Sequence, residues 1–232
     1  MKRLVVFCFL ILSISFYAPV AGAMVLTFNE GIDLWLSSSN SPDTGNPNLG
    51  WGRNLGANAR NYDTLIKFTD IFGSAADQVP LGSTINSAEL YMWIGYDRLK
   101  ISHIYQMTFD WNAASTWLSI GSSGGIVPGV NAEASPEYSW TGTTDAWSQR
   151  IFNLTDSVQD WSDGADAFGW GFTRPRSGGT VSSMSLNYGT ASYRPYLLVD
   201  FTPQEVVPEP ASSALMAIGL AGTVAARFRR RK

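Results

Sequence analysis

Pro80-Leu81-Gly82-Ser83-Thr84-Ile85-Asn86-Ser87-Ala88-Glu89-Leu90-Tyr91-Met92-Trp93-Ile94 decides the fold class. Its first three residues are turn chemistry, and beyond them Leu90, Met92 and Ile94 alternate with Tyr91 and Trp93. A period of two belongs to a strand, whose successive side chains point to opposite faces. The rest of the chain repeats this plan in shorter pieces. Strands are predicted over 24–28, 32–36, 64–69, 84–94, 101–111, 149–152, 168–173, 181–186 and 195–201. In 101–111, Ile101, His103, Tyr105, Met107 and Phe109 share one side, and in the last strand Leu197, Val199 and Phe201 do.

Two segments interrupt the pattern: a Gly/Asn/Pro/Ser stretch over 37–61, read as a long loop, and a Gly/Ser/Pro loop over 121–136. Residues 155–161 start like a capped helix, place Val158 and Trp161 on one side and stop at Gly164, which predicts one short helical turn. There is no internal repeat and no long amphipathic helix. Many short strands with Gly/Pro turns predict an all-β, antiparallel β-sandwich of jelly-roll type spanning 24–203. The 232-residue chain carries 9 Trp, 9 Tyr, 12 Phe and 22 Gly, which favours strands and turns in the same way.

Both ends of the chain read as processing segments. Lys2 and Arg3 precede an apolar run over 4–16, and Ala21-Gly22-Ala23 offers a small-residue cleavage site, so 1–23 is predicted to be a signal peptide. Cys8, the one cysteine, lies in that apolar run. Cleavage after Ala23 leaves no thiol, which excludes disulfides, a cysteine nucleophile and thiolate metal sites. At the other end, Pro208-Glu209-Pro210 is followed by an apolar run over 211–226 and by Arg227-Phe228-Arg229-Arg230-Arg231-Lys232. As a helix that run spans about 24 Å, short of the roughly 30 Å of a hydrocarbon core. Its basic end stays cytoplasmic and places the preceding domain on the far side.

This three-part tail resembles the PEP-CTERM sorting tail of Gram-negative bacteria that make exopolysaccharide. The resemblance implies an exosortase-type membrane protease as partner, transient anchoring in the inner membrane, and delivery to the cell surface or extracellular matrix. A simple tail anchor is the alternative reading. Without the two termini, residues 24–207 hold nine Lys/Arg against eighteen Asp/Glu, a net charge of −9. An acidic domain with no basic stripe argues against nucleic acid as a partner. The spare carboxylates leave room for a structural calcium, although a solvated acidic surface accounts for most of the excess.

Inside the domain, several motifs occur in the order of the DNRLRE domain, a β-sandwich family grouped with carbohydrate-binding modules. They are Asn48-Leu49-Gly50, Thr64-Leu65-Ile66-Lys67-Phe68, the 80–90 stretch, Asp110-Trp111 with Thr116-Trp117, 152–164, and Arg194-Pro195-Tyr196-Leu197. The chain resembles that family over nearly all of 30–202. It departs where Asp63-Thr64 replace a common arginine and in the enlarged Gly-rich segment between Trp117 and Trp140. The resemblance implies association with extracellular polysaccharide, as an associational warrant.

His103 is the single histidine, mid-strand among apolar neighbours, where a sheet-face residue fits better than a catalytic base. No His/Cys cluster points to zinc. Asp156, Asp160, Asp163 and Asp166 are the densest acids. They suit capping, surface charge or cation ligation (candidates Asp160, Asp163 and Asp166) better than the paired carboxylates of glycoside hydrolysis. Tryptophan stacks on pyranose rings. Trp93, Trp111, Trp117, Trp161 and Trp170 sit in strand or family motifs and read as core, whereas Trp51, Trp140 and Trp147 read as exposed glycan-binding candidates. Arg53 and Arg60 add a bidentate fit to a uronate carboxylate, with surface ion pairs as their plainer role. The expectation is a non-catalytic exported protein that associates with polysaccharide. A purely structural surface protein and a hydrolase or lyase with an acidic site are the rivals.

Overall fold

A computed structural model describes residues 22–204, apart from 41, 44, 55–57, 96–99, 121–123, 143–146 and 178. The strands are β1 (Met24–Phe28), β2 (Gly31–Ser37), β3 (Pro42–Asp43), β4 (Asn48–Arg53), β5 (Asn61–Phe68), β6 (Thr84–Ile94), β7 (Ile101–Gln106), β8 (Tyr138–Thr141), β9 (Ser148–Asn153), β10 (Trp170–Thr173), β11 (Gly179–Met184) and β12 (Tyr196–Thr202), with one helix, α1 (Thr155–Ser162). All the strand pairings are antiparallel and build an all-β sandwich.

One layer runs β3-β2-β5-β10-β7-β8 and the other β1-β12-β6-β9. The β4–β11 pair continues the second layer from the end of β6, through Ser183 opposite Ile94. It is tied to the first layer where Gly52 and Arg53 meet Tyr62 and Asn61. The deciding stretch forms β6 with the expected bounds. Its Leu90, Met92 and Ile94 point inward, against Leu197, Val199 and Phe201 of β12 and the aromatic set Trp51, Phe152, Trp170 and Phe172. Each fully buried aromatic side chain removes roughly 150–250 Å² from water and contributes about 4–6 kcal/mol of transfer free energy.

Sequence and structure differ in several places, the unpredicted strand β8 (Tyr138–Thr141) among them. Residues 48–53, read as loop, form β4, because Leu49 and Trp51 alternate inward between small residues. The strand starting at Ile101 stops at Gln106, not Trp111, since the chain then leaves the sheet. Residues 107–120 and 124–137 fold back over the outer face of the first layer and build a second core of Leu34, Leu36, Leu65, Tyr105, Trp111 and Ile126, among others. Gly124 and Gly125 have φ of 73° and 74°, and a Cβ on either would lie 2.5–2.8 Å from the Trp117 ring. Gly124 and Gly125 are thus a bed for an indole. Helix α1 has two turns where one was expected, and Asn153 Oδ1 accepts from the Thr155 N–H just before it.

Charged groups inside this double packing are held by specific partners. Asp63, fully buried on β5, accepts from Arg176 at 2.7 Å and from the Ile126 N–H at 2.9 Å. Lys67 on the same face donates to the Trp111 carbonyl at 2.5 Å and to Asp110 at 3.3 Å, with its Nζ 4.8 Å from the Trp111 ring. The lysine of the predicted β5 motif therefore anchors the start of the covering lobe.

Asp33, on the inner side of β2, accepts the Leu186 N–H at 2.5 Å, and burial pushes its carboxyl up to about 6. A native pKa above the unfolded value means the folded state holds the proton more tightly. The associated stability is complete below pH 4 and is lost as pH rises through about 6. The shift from 3.8 corresponds to about 3 kcal/mol. Asp33→Asn should therefore flatten the fall in unfolding free energy between pH 4 and 7 by about that amount. Urea titrations at several pH values measure it, and an unchanged slope would refute the assignment.

Candidate functional site

Among the described residues the first layer is packed on both faces at β2, β5 and β10, whereas the second layer is covered only on its inner face. Outward-facing residues of β6 therefore form an open surface. Tyr91 lies opposite Tyr196 of β12 and Ile151 of β9, and Trp93 lies opposite Gln149. Tyr91 and Tyr196 stack at 4.5 Å and 8°, while Trp93 meets Tyr193 edge-on at 4.9 Å. The Tyr91 hydroxyl donates to Glu89 at 2.7 Å, and that bond pushes the phenol up to about 12, so it is a neutral donor at any physiological pH.

The row continues past Ile94. Gly95 extends β6 and donates its N–H to the Ser182 carbonyl. A Cβ on Gly95 would lie 3.1–3.2 Å from three carbons of the six-membered ring of Trp147. The indole therefore rests on a glycine and keeps 40% of its surface exposed. Tyr91, Trp93 and Trp147 thus follow one another along β6 at a spacing of roughly 7 Å, two residues of strand rise. Gln149, Ile151 and Asn153 supply a mixed polar and apolar rim.

Of the five residues predicted for glycan contact, Trp147 is exposed on this face. Trp51 and Trp140 are not available. Trp51 is fully buried, with Nε1 donating to Ser102 and its ring 5.1 Å from Phe172, and Trp140 packs at 4.9 Å on Phe152. Both face the core because β4 and β8 are strands, where the sequence suggested loops. Arg53 and Arg60 are exposed and flank the β4–β5 connection, in which the Arg60 N–H donates to Asn54 Oδ1 at 2.7 Å. Neither forms an ion pair among the described residues. Trp93, assigned to the core from its strand position, is half-buried on the open face. The clue was in its alternation: Leu90, Met92 and Ile94 take the inner side, which leaves Tyr91 and Trp93 outside. Trp111, Trp117, Trp161 and Trp170 are core as expected.

A second concavity, about 290 Å³, is lined by Glu133, Glu137, Asp156 and Asp160 with Gln106 and Ser157. Burial raises the Glu137 carboxyl, against hydrogen bonds that favour its charged form. Both of its oxygens are engaged: Oε1 accepts from the Ser157 N–H at 3.0 Å, and Oε2 from Ser157 Oγ at 2.7 Å and Trp170 Nε1 at 3.2 Å. This carboxylate caps the helix N-terminus from a neighbouring segment and ties it to the core. Of the cation candidates, Asp160 lines this cleft, Asp163 accepts from Gln159 at 3.0 Å, and Asp166 is exposed. Among the described residues no three acidic or histidine side chains converge as a metal site. His103 is on the sheet surface, bonded to Ser139 Oγ at 2.8 Å and lowered in pKa by burial.

Residues 206–231 match the PEP-CTERM protein-sorting motif. Comparison with curated proteins gives no match. The motif supports an exported protein processed by an exosortase-type membrane enzyme and implies sorting to the cell envelope of a Gram-negative bacterium. Pro208, Glu209 and Pro210, the predicted helix over 211–226, and the cleavage residues Ala21 and Ala23 lie outside or at the margin of the described residues. Among the described residues no helix is long and apolar enough to cross a membrane.

As a structural cap, Glu137 holds the Ser157 N–H, so Glu137→Ala strands that donor at the helix start, while the Trp170 indole keeps Ser157 Oγ at 2.7 Å, and should cost about 1–3 kcal/mol. Thermal unfolding of the variant checks this, and an unchanged melting temperature would reopen a chemical role for the cleft.

Proposed function

We propose that the domain is a non-catalytic module that associates with extracellular polysaccharide once exported. The observation that carries this reading is Trp147, laid on Gly95 at the end of an exposed aromatic row. A flat ring with one face supported and the other open matches the apolar face of a pyranose, and the neighbouring Gln149, Asn153 and tyrosine hydroxyls suit its hydroxyl groups. Such a rim would be poorly matched to a purely apolar partner. The all-β fold is what the DNRLRE resemblance requires, so that resemblance adds to the reading without carrying it.

Arg53 and Arg60 favour an acidic polysaccharide. They are exposed cations without ion pairs among the described residues, in a domain of net charge −9. A guanidinium pair held on one hairpin offers parallel donors to carboxylates along a uronate chain. The hydrolase or lyase alternative has less support, because the buried carboxylate of the acidic cleft is engaged with Ser157 and Trp170. Structural calcium is not needed by this reading.

Retention of residues 24–204 on immobilised uronate-rich and neutral polysaccharides tests the proposal. Trp147→Ala should weaken retention on both about tenfold or more with little change in melting temperature. Arg53→Ala with Arg60→Ala should weaken only the acidic one, increasingly masked as salt rises. No retention on any polysaccharide would reject the function, and release of reducing ends or unsaturated uronate would replace it with the enzyme reading.

A further inference from the structure

We propose that copies of this domain associate head to tail, the arginines of the β4–β5 hairpin of one copy entering an acidic cleft at the opposite end of the next. The inference rests on where charge lies along the strands and is independent of glycan binding. At one end β4 closes on β5, with Arg53 opposite Asn61. The Asn54 N–H donates to the Arg60 carbonyl at 3.1 Å, and the Arg60 N–H donates back to Asn54 Oδ1 at 2.7 Å. Arg53 and Arg60 are therefore fixed on the two arms of one closed hairpin, exposed and without ion pairs among the described residues. Lys100, also exposed, precedes β7 at the same end, because β10 pairs Phe172 with Thr64 of β5 and Thr173 with His103 of β7. Asp63, two residues into β5, does not neutralise them: it is buried and paired with Arg176 at 2.7 Å.

β5 carries the chain over Asn61–Phe68 to the other end, about 25 Å away. There the Thr69 N–H donates to the Glu30 carbonyl at 3.0 Å and ties the β1–β2 turn to the end of β5. The N–H groups of Gln78 and Val79 close the following loop on the Ala75 and Ile71 carbonyls. These two segments wall a concavity of about 360 Å³, lined by Glu30, Asp70 and Asp77 with Thr27, Thr69 and Gln78. Its three acids are exposed and form no ion pair among the described residues. A guanidinium from a second copy supplies the missing charge, and its planar set of donors suits several carboxylates at once. Hairpin and cleft lie at opposite ends of β5, so filling one cleft leaves a hairpin free, and the contact propagates as an open chain. Ionic strength decides when this can occur. At 0.01 M salt, a Debye length of roughly 30 Å lets whole domains of net charge −9 repel each other. At physiological salt about 8 Å confines the interaction to the facing ends, where the signs are opposite. Exposed ion pairs are individually weak, so a dissociation constant on the order of 0.1 mM is expected.

Sedimentation velocity of residues 24–204, a compact unit that holds both cores, tests this in a buffer with a calcium chelator and no polysaccharide. At about 0.15 M salt the sedimentation coefficient should climb with concentration past that of a dimer, and at about 0.5 M salt it should return to that of a monomer. Arg53→Glu with Arg60→Glu should stay monomeric, and so should Glu30→Lys with Asp77→Lys. Mixing the two charge-reversed proteins should restore association, which misfolding of either could not produce. Arg53→Gln with Arg60→Gln carries the same test if a reversed protein does not fold, and it should also be monomeric. A parent domain that is monomeric up to about 1 mM at 0.15 M salt would overturn the proposal. So would growth that stops at a dimer, reversed variants that still associate, or a mixture that stays monomeric. Association that appears only when calcium is added would assign the cleft to a cation instead and overturn it equally.

Discussion

Burial of the first layer on both faces is the constraint from which the rest of this structure follows. Packing between a second sheet and the covering lobe buries residues 63–66 of β5 and all of β10, so the polar groups there need partners. Asp63 has Arg176 and the Ile126 N–H, and Lys67 has the Trp111 carbonyl. These contacts also fix the lobe in place, because the partners belong to the covering segment or the strand ends beside it. Arg176 lies 5.0 Å over the Trp117 ring, which in turn rests on Gly124 and Gly125. Charge pairing, aromatic packing and glycine conformation thus act on one short stretch. Among the described residues the second layer has no such cover, and on its outer face aromatic side chains reach solvent.

That asymmetry explains which parts were legible from the sequence. β6, β9, β12 and β1 follow a clean alternation because one face is core and the other is open. Their bounds could be read within a residue or two. β4 was hidden: Asn48-Leu49-Gly50-Trp51-Gly52-Arg53 alternates, but glycines at two of six positions mimic a loop. In the structure those glycines permit close packing, since a Cβ on Gly50 would meet Trp35 and the Val181 carbonyl, and one on Gly52 would meet the Arg174 side chain. The misplacement of Trp51 and Trp140 has the same origin. An indole beside glycines looks exposed when tertiary cover cannot be seen. The 107–137 lobe was equally illegible, because its core contacts are long-range and leave no local period.

The candidate site shows a related limit. Strand alternation identifies Tyr91 and Trp93 as opposite in facing to the core residues, yet a buried motif and an open face give the same local pattern. Only the absence of a layer above β6 separates them. Trp147 was read correctly for exposure but without its context, since nothing in the sequence links it to Gly95, about fifty residues earlier. The acidic cluster shows the reverse. Its density drew attention, whereas hydrogen bonding shows that Glu137, outside the cluster, is the acid of the cleft engaged on both oxygens, and that it serves the helix and Trp170.

An exported domain without cysteines must obtain from packing the stability that many secreted domains take from disulfides. Four fully buried tryptophans and the phenylalanines around them supply it, and the cost is that most of the aromatic residues are committed to the interior. On the open layer the aromatics left outside are Tyr91, Trp93, Trp147, Tyr193 and Tyr196. They gather there because this face has no covering lobe among the described residues, whereas the lobe over the other layer takes in Tyr105, Trp111 and Trp117. The pairing of β1 with β12 adds a direction to this surface. The same strand that carries Tyr91 and Trp93 begins beside the paired ends of β1 and β12 and ends at Trp147, so β6 sets both the composition of the face and its distance from those strand ends.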